Sequence, residues 1–225
     1  MQRAQLAAMI DQTLLKPTVS LDDGGAWLRE QRDIGFASVC VTPRLVTEAV
    51  RVMRRTDTVV CAVVGFPLGY DTAETKAFEA AQLVAEGASE IDMVLPIGDL
   101  LFEEDALVLD DITRVVEAVR GASDGTGIVK VILETGYLLE ADIRRGCRLA
   151  ERAGADFVKT STGFGPRGAS VEDVRIMREA VGERLGVKAA GGIRTTADAL
   201  AMIEAGASRI GTSAGATLLN GLAGD

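Results

Sequence analysis

Three lysines in strand-like apolar runs are the residues of this sequence best suited to chemistry. The chain has 19 Arg but only five Lys, and Lys130, Lys159 and Lys188 stand in VKVIL, FVKTS and VKAAG. A lysine in such a run needs a carboxylate partner or loses its proton, although a single one often only reaches solvent from a strand end. Three of them predict a shared site, where crowded ammonium groups lose protons more easily and a neutral amine forms a Schiff base with a carbonyl.

Two aspartates are candidates for the proton transfers that this chemistry needs. Asp92 in EIDMV and Asp11 in IDQT each follow an isoleucine in a strand-like run. A buried carboxylate is costly unless it pairs with a lysine or with a substrate hydroxyl. From the residues alone, a structural Asp–Lys pair and an acid–base pair remain equally open.

The sequence contains no histidine, which excludes several mechanisms. The Ser-His-Asp triad, the Cys-His pair and nearly all catalytic zinc sites need an imidazole. Proton transfer is therefore left to Asp, Glu, Lys, Tyr, Cys or water, and we expect neither a metal nor a cofactor. The three cysteines, Cys40, Cys61 and Cys147, are scattered without a CxxC motif, which is typical of a reducing cytosol.

Glycine-rich loops after the last strand-like runs predict a phosphate site. AGGIRTTAD (190–198) and RIGTSAGAT (209–217) each stand between an apolar run and a helix start, and STGFGPRG (161–168) could add a third edge. Backbone N–H groups of Gly191, Gly192, Gly211 and Ser213, with the Ser213 hydroxyl, could hold a phosphate. The alternative is that these glycines only form turns.

The elements that must position these residues alternate regularly along the chain. Gly35, Gly87, Gly154 and Gly206 each end a polar helical stretch and precede a short apolar run, as glycines at helix C-termini do. Thr42, Asp71, Ser170 and Thr195 are predicted helix starts. Eight strands are predicted in 9–13, 32–42, 59–65, 85–95, 128–135, 152–162, 187–192 and 204–213.

Eight strands alternating with eight helices predict a single-domain (β/α)₈ TIM barrel over 1–225, with an extra N-terminal helix. A doubly wound open sheet is the alternative, but the segment TLLKP after the first run lacks its GxGxxG fingerprint. In a barrel the three lysines converge near the C-terminal mouth, where such folds place their chemistry.

Charge and hydropathy limit the classes of binding partner that we expect. The net charge is −9 and there is no basic run, so nucleic acid is not an expected partner. The longest apolar stretch, residues 59–68, is too short to span a membrane, and the N-terminus lacks the pattern of a signal peptide. We therefore expect a cytoplasmic protein that binds no membrane.

Seven motifs together resemble the deoxyribose-phosphate aldolase family, in its short bacterial or archaeal form. They are DQTLLKP (11–17), VVGFPLG (63–69), EIDMV (90–94), VKVILETG (129–136), GADFVKTSTGFGPRGAS (154–170), VKAAGGIRT (187–195) and RIGTS (209–213). The resemblance runs from about residue 8 to residue 215. VKTSTG with its flanks is the most specific of these motifs.

The resemblance implies a metal-independent class I aldolase on a TIM barrel. It would reversibly cleave 2-deoxy-D-ribose 5-phosphate to D-glyceraldehyde 3-phosphate and acetaldehyde, in deoxyribose phosphate catabolism, and would form dimers or tetramers. The implied Schiff-base lysine is Lys159, Lys188 lowers its pKa, and Asp92 is the proton donor and acceptor. Asp11 and Lys130 would form a supporting pair, and Cys40 would line the pocket. The implied substrate and phosphate contacts are Thr160, Thr162, Gly163, Gly191, Gly192, Gly211 and Ser213.

The sequence departs from the family pattern at a few places. Gln12 stands where many members have His, Thr42 where Asn is common, and Pro96 where many short members have Asn. The chain ends in NGLAGD, without the C-terminal tyrosine of some members. These departures bear on rate rather than on reaction type. Three alternatives stay open: another Schiff-base lyase acting on a keto acid or ketose phosphate, a sugar-phosphate isomerase with a carboxylate base, and a catalytically silent binding protein.

Overall fold

Eight parallel strands close into a barrel in chain order, with β8 paired to β1. The structure is a computed structural model that describes residues 1–222. The strands are β1 (Ile10–Leu14), β2 (Ser38–Val41), β3 (Val59–Val64), β4 (Glu90–Val94), β5 (Ile128–Ile132), β6 (Phe157–Lys159), β7 (Gly186–Ala190) and β8 (Arg209–Thr212). Each overlaps a predicted run, with β1 ending one residue later and β7 beginning one residue earlier than predicted, so the predicted (β/α)₈ barrel is confirmed.

Helices cover the outside of the barrel and connect successive strands. They are α1 (Arg3–Ala7), α2 (Leu21–Gln31), α3 (Val46–Met53), α4 (Ala73–Ala85), α5 (Ile97–Leu101), α6 (Asp105–Ala122), α7 (Glu140–Arg152), α8 (Val171–Val181), α9 (Thr196–Glu204) and α10 (Gly215–Asn220). Short 3₁₀ turns occupy Pro43–Leu45 and Thr135–Tyr137. The predicted N-terminal helix is present as α1, and the short α5 after β4 is an addition that the sequence pattern did not predict.

The helix ends follow the local sequence signals closely. Gly35, Gly87, Gly154 and Gly206 all have positive φ angles, as predicted for glycines that end helices. The Ser170 and Thr195 hydroxyls cap α8 and α9 by accepting the N–H three residues on.

Two of the predicted helix starts differ in detail. The prediction for α4 was wrong by one residue, because the Thr72 hydroxyl, not Asp71, reaches the N–H of Thr75. Thr42 precedes the 3₁₀ turn that begins at Pro43, without a side-chain cap bond.

Alternation along the strands separates an apolar outer core from a polar barrel interior. On β5, Val129 and Val131 join the large core between barrel and helices, while Lys130 between them forms ion pairs inside the barrel. Successive side chains of a strand point to opposite faces, which explains this pattern. A small separate apolar cluster of Cys40, Cys61 and Val63 lies apart from the outer core.

No helix within residues 1–222 combines the length and the apolar character needed to cross a bilayer.

Candidate active site

The barrel interior holds an ionisable side chain from every strand. The charged ones are called the interior charge cluster: Asp11 (β1), Glu90 and Asp92 (β4), Lys130 (β5), Lys159 (β6), Lys188 (β7) and Arg209 (β8). Cys40 on β2 and Cys61 on β3 complete the circle. Four cations face three carboxylates, so one positive charge is in excess when all are ionised.

Asp92 is the centre of this cluster. Its Oδ2 lies 2.6 Å from the Nζ of Lys159 and 2.6 Å from that of Lys188, and its Oδ1 lies 2.9 Å from the Nζ of Lys130. Burial disfavours the charged carboxylate, but the three ammonium groups outweigh burial and hold the pKa of Asp92 well below its ordinary value. Asp92 is therefore ionised, and it touches both lysines, Lys159 and Lys188, to which the family resemblance assigns catalytic roles.

The lysines do not simply repel one another, because carboxylates lie between them. Lys188 Nζ is 2.5 Å from Asp11 Oδ2, and Lys130 Nζ is 2.6 Å from Glu90 Oε2. Burial favours the neutral amines, but these carboxylates with Asp92 raise the pKa of Lys130 and of Lys188 above the ordinary value. The expectation that crowding eases deprotonation of each lysine was thus wrong for these two, which stay charged.

Asp11 pairs more closely with Lys188 than with its expected partner. Its carboxylate is 3.7 Å from Lys130 Nζ, against 2.5 Å for Lys188 Nζ. Burial disfavours the charged form, yet Lys188, Lys130 and Arg209 lower the pKa of Asp11. Glu90, 2.6 Å from Lys130 Nζ, takes the place beside Lys130 that the family resemblance implied for Asp11.

Lys159 differs from the other two lysines in its partners and its position. Within residues 1–222 its ammonium pairs with Asp92 alone, whereas Lys130 and Lys188 each pair with more than one carboxylate. Lys159 is the last residue of β6 and borders the cavity at the carboxyl ends of the strands. Loss of its proton breaks one ion pair and removes the excess positive charge.

A cavity of about 430 Å³ opens above Lys159. It brings together Thr162, Gly163, Gly191, Gly192, Gly211 and Ser213, six of the predicted substrate contacts. Lys16 and Arg194 also line it, although neither was among the candidate residues predicted from the sequence. The sequence could have indicated both, because each lies in a segment directly after a predicted strand, and such segments form the mouth of a barrel.

Two predicted pocket residues lie outside this cavity lining. Thr160 is fully buried, and its hydroxyl bridges β6 and β7 by donating to Ala190 O (3.1 Å) and accepting from Ala190 N–H (3.0 Å). Cys40 is fully buried with its Sγ 3.9 Å from Asp92 Oδ2. Both side chains therefore belong to the buried barrel wall and not to the cavity lining.

Cys61 is a neighbour of the cluster that the sequence analysis left unassigned. Its Sγ lies 3.1 Å from Asp92 Oδ1 and 3.3 Å from Lys130 Nζ. Burial raises its pKa well above the ordinary value, while a hydrogen bond from Cys61 lowers the pKa of Cys40. In VVCAVVG a cysteine cannot be distinguished from an apolar strand residue, so nothing in the sequence marked it.

Cys40, Cys61 and Asp92 also place three donor atoms within 4.8 Å of one another, close enough to ligate a cation. Three ammonium groups already contact the Asp92 carboxylate. A divalent ion would add positive charge to a buried cluster that already has an excess, so the donor set fits ammonium better than a metal.

Two buried side chains hold the loops around the cavity. Gln12 accepts the Gly215 N–H (3.0 Å) through Oε1 and donates to Gln31 (3.1 Å), so the residue that departs from the family pattern anchors the start of α10. Glu134, with φ of 56°, accepts hydrogen bonds from the Thr162 N–H (3.2 Å) and from its hydroxyl. A left-handed backbone is costly for Glu, so these bonds help to fix it.

The other departures from the family pattern lie outside the cavity lining. Thr42 precedes the turn that begins at Pro43, and Pro96 stands at the start of α5. Residues 223–225, in the C-terminal segment compared with the tyrosine of other members, lie outside the described residues.

Comparison with known proteins agrees with this geometry. A family profile described as DeoC/LacD family aldolase matches residues 7–223. A deoxyribose-phosphate aldolase of Thermoanaerobacter sp. (strain X514) is 53% identical over 214 residues, covering 95% of each chain, and deoxyribose-phosphate aldolase 1 of Bacillus licheniformis is 51% identical over 98% of this chain and 97% of its own. The tetrameric structure of deoxyribose phosphate aldolase from Aeropyrum pernix matches with a TM-score of 0.89 and 33% identity, covering 97% of this chain and 91% of that one. The chain therefore belongs to the DeoC/LacD aldolase family and, within it, to the deoxyribose-phosphate aldolases.

Proposed function

We propose that this chain is a class I aldolase that reversibly cleaves 2-deoxy-D-ribose 5-phosphate to D-glyceraldehyde 3-phosphate and acetaldehyde, with Lys159 as the Schiff-base residue. The observation that carries the proposal is the position of Lys159. It borders the same cavity as the glycine loops and pairs with Asp92 in a cluster that carries an excess positive charge. Its amine is the cluster nitrogen that a carbonyl compound in the cavity can reach, and a neutral amine there can form a Schiff base.

The first half of the reaction forms the iminium. The neutral Lys159 amine attacks the aldehyde carbon C1 of the open-chain sugar, and the carbonyl oxygen takes up protons and leaves as water. Asp92 Oδ2 lies 2.6 Å from both Lys159 Nζ and Lys188 Nζ. This carboxylate and the Lys188 ammonium can therefore exchange protons with the reacting nitrogen and oxygen.

The second half breaks the carbon–carbon bond. The C3 hydroxyl loses its proton to a base, the C2–C3 bond breaks, and its electron pair moves into the iminium to give an enamine. D-Glyceraldehyde 3-phosphate leaves, the enamine carbon gains a proton, and water hydrolyses the new iminium to acetaldehyde and free Lys159. We assign the proton transfers to Asp92 and Lys188, with Asp11 and Lys130 holding these two charged.

The rest of the cavity suits a phosphorylated substrate. Thr162 and the small residues Gly163, Gly191, Gly192, Gly211 and Ser213 allow a phosphate to approach backbone N–H groups closely. Lys16 and Arg194 line the same cavity and supply two positive charges in a chain of net charge −9. The N–H groups of Arg194 and Thr195 already donate to Asp198 (3.2 and 3.0 Å), so the phosphate donors are to be sought among the glycine loops.

Borohydride trapping with acetaldehyde tests the proposal. We expect a reduced two-carbon adduct on Lys159, found by peptide mass spectrometry, and loss of both adduct and turnover in Lys159→Met. Lys16→Met is the matched control, because this lysine lines the same cavity outside the charge cluster. It should keep the adduct on Lys159 and raise the KM for the phosphorylated sugar. An adduct on another lysine, or turnover that survives Lys159→Met, contradicts the assignment.

We further propose a cytoplasmic homo-oligomer, a dimer or a tetramer. Large apolar side chains are exposed on and around α4, α5 and α6: Tyr70 (78%), Phe78 (72%), Phe102 (82%) and Leu107 (55%). Such surface is typical of protein interfaces, and the Aeropyrum pernix relative is described as tetrameric. The three free, buried cysteines support a reducing compartment. Light scattering coupled to size-exclusion chromatography tests the assembly, and a monomer at micromolar concentration contradicts it.

A further inference from the structure

Arg209 and Glu90 form the end of the interior charge cluster that lies farthest from the cavity. They are the first residues of β8 and β4, whereas Lys159 is the last residue of β6. Arg209 Nη1 lies 2.6 Å from Asp11 Oδ1 and 3.2 Å from Glu90 Oε2. The mechanism above uses neither residue.

Both side chains are held firmly in this place. The Glu90 side chain is 4% exposed and its Oε2 also touches Lys130 Nζ at 2.6 Å, while the Arg209 side chain is 15% exposed. The guanidinium carbon of Arg209 lies 5.4 Å from the ring centroid of Phe157 on β6. Arg209 thus binds one oxygen of Asp11 and leaves the other to Lys188.

We propose that Arg209 and Glu90 are positioning residues that set the pH at which Lys159 becomes a nucleophile, because each fixes one unit of the cluster's charge. The inference rests on the proposed Schiff-base role of Lys159. Asp11, Glu90 and Asp92 balance three of the four cations, so one positive charge is left over. Removal of Arg209 would cancel that excess, and removal of Glu90 would double it.

The titratable groups that share the barrel interior with Lys159 come from each of the other seven strands. They are Asp11 on β1, Cys40 on β2, Cys61 on β3, Glu90 and Asp92 on β4, Lys130 on β5, Lys188 on β7 and Arg209 on β8. From the loops, Lys16, Arg194 and, behind Thr162, Glu134 face the cavity side. Lys16 and Arg194 stand at an open mouth where water screens them, while the charges inside the barrel act through a dry interior.

The test compares Arg209→Gln with Glu90→Gln, because the two variants change the cluster charge in opposite directions. The readouts are the acid limb of kcat/KM against pH and the pH dependence of the rate of borohydride trapping on Lys159. We expect the limb to move up by about one pH unit in Arg209→Gln and down by about one pH unit in Glu90→Gln. This shift is the Coulomb energy between Lys159 and a unit charge two strand spacings away, roughly 10 Å, at an effective dielectric constant near 20, converted to pH units.

The double variant separates charge from structure. Arg209→Gln with Glu90→Gln loses every contact of the pair but restores the excess of one positive charge, so its limb should return to the wild-type position. Arg209→Lys keeps the charge and should stay near wild type. Arg175→Gln on α8 is the matched control, because it removes an exposed arginine and should leave the limb unmoved.

Shifts of the same sign in both single variants, an unmoved limb, or a double variant displaced from wild type each overturn the inference. If Arg209→Gln does not fold, the comparison of Glu90→Gln with the double variant still tests the inference. Removing the Arg209 charge from Glu90→Gln must then move the acid limb back up to the wild-type pH. Failure of the proposed function has a different signature. In that case wild-type protein yields no adduct on Lys159, whereas failure of this inference alone leaves wild-type trapping intact.

Discussion

Replacing Asp92 with Asn removes the carboxylate that three buried ammonium groups share. The side chain keeps its shape, but the cluster changes from three carboxylates against four cations to two against four. Asn also offers an NH₂ group that cannot accept a hydrogen bond from an ammonium. The variant therefore tests catalysis and stability together.

The expected losses follow from the contacts. Turnover should fall by a factor of about 10²–10⁴, the usual contribution of a positioned acid–base group. The free energy of unfolding at pH 7 should fall by about 3–5 kcal/mol, because removing one partner of a buried ion pair leaves uncompensated charge. In wild type, Asp92 touches Lys159, Lys188 and Lys130 at 2.6, 2.6 and 2.9 Å.

The pH dependence of the loss gives the sharper signature. In wild type the pKa values of Lys130 and Lys188 lie above their ordinary value, so their stabilisation is complete below about pH 10 and is lost only as pH rises through the raised values. Without Asp92 a buried ammonium is under-compensated and its folded-state pKa should fall below the unfolded one. For this group the unfolded state then binds more protons, so between pH 7 and 9.5 the variant should gain stability relative to wild type.

The signature is the difference from wild type, because a buried cysteine also contributes in this window. Burial raises the pKa of Cys147 to about 12, so wild type and variant alike lose stability as pH rises through the ordinary thiol pKa. The chain has no histidine, and the raised pKa of Asp111, about 6 because of burial, changes stability only below pH 7. Urea unfolding followed by the fluorescence of the single tryptophan, Trp27, measures the free energy at both pH values. Asp110→Asn is the control, because its pair with Arg114 is exposed and should be worth at most about 1 kcal/mol. A loss below about 1 kcal/mol with a pH slope equal to wild type, or unchanged turnover, would refute this reasoning about the cluster.

Two further variants test residues outside the charge cluster. Lys76→Met should lower the free energy of unfolding by about 3–5 kcal/mol, because it removes the fully buried ammonium that lies 3.0 Å from Asp111 Oδ1 and leaves that carboxylate unpaired. Adding Asp111→Leu should recover most of this loss, as measured by urea unfolding. A harmless Lys76→Met contradicts the expectation. Gln12→Leu should cost about 1–3 kcal/mol by orphaning the Gly215 N–H, and loosening of the adjacent Ser213 loop should raise the KM for the phosphorylated sugar several-fold. The KM for unphosphorylated deoxyribose should not change, and an equal rise for both sugars would argue against a role in holding the phosphate loop.

Local signals in the sequence predict the fold because each barrel unit repeats them. Gly35, Gly87, Gly154 and Gly206 end helices in the left-handed conformation that glycine adopts without strain, and an apolar run follows each one. These signals depend on a few neighbouring residues and survive without tertiary context. At α4, where Thr72 rather than Asp71 caps the helix, these signals place the helix start only to within one residue.

The site follows from the sequence only in part. Lys130, Lys159 and Lys188 are conspicuous because charge is rare in apolar runs, and the glycine loops follow the late strands where barrels place phosphate sites. Lys76 has no such signal, although it is fully buried, because a lysine on a helix is usually exposed. Cys61 resembles an ordinary apolar strand residue.

The pairing inside the barrel is what only the tertiary structure decides. In the sequence, Arg209 is indistinguishable from an ordinary polar residue at the start of a strand. In the structure it contacts Asp11 because β8 pairs with β1. Asp11 likewise lies 2.5 Å from Lys188 and 3.7 Å from Lys130, a choice set by the register of strands far apart in the chain. The residue types thus determine that charges will meet in the barrel. Closure of the barrel determines which oxygen meets which nitrogen. It also determines that, of the three strand lysines, Lys159 borders the cavity and pairs, among residues 1–222, with Asp92 alone.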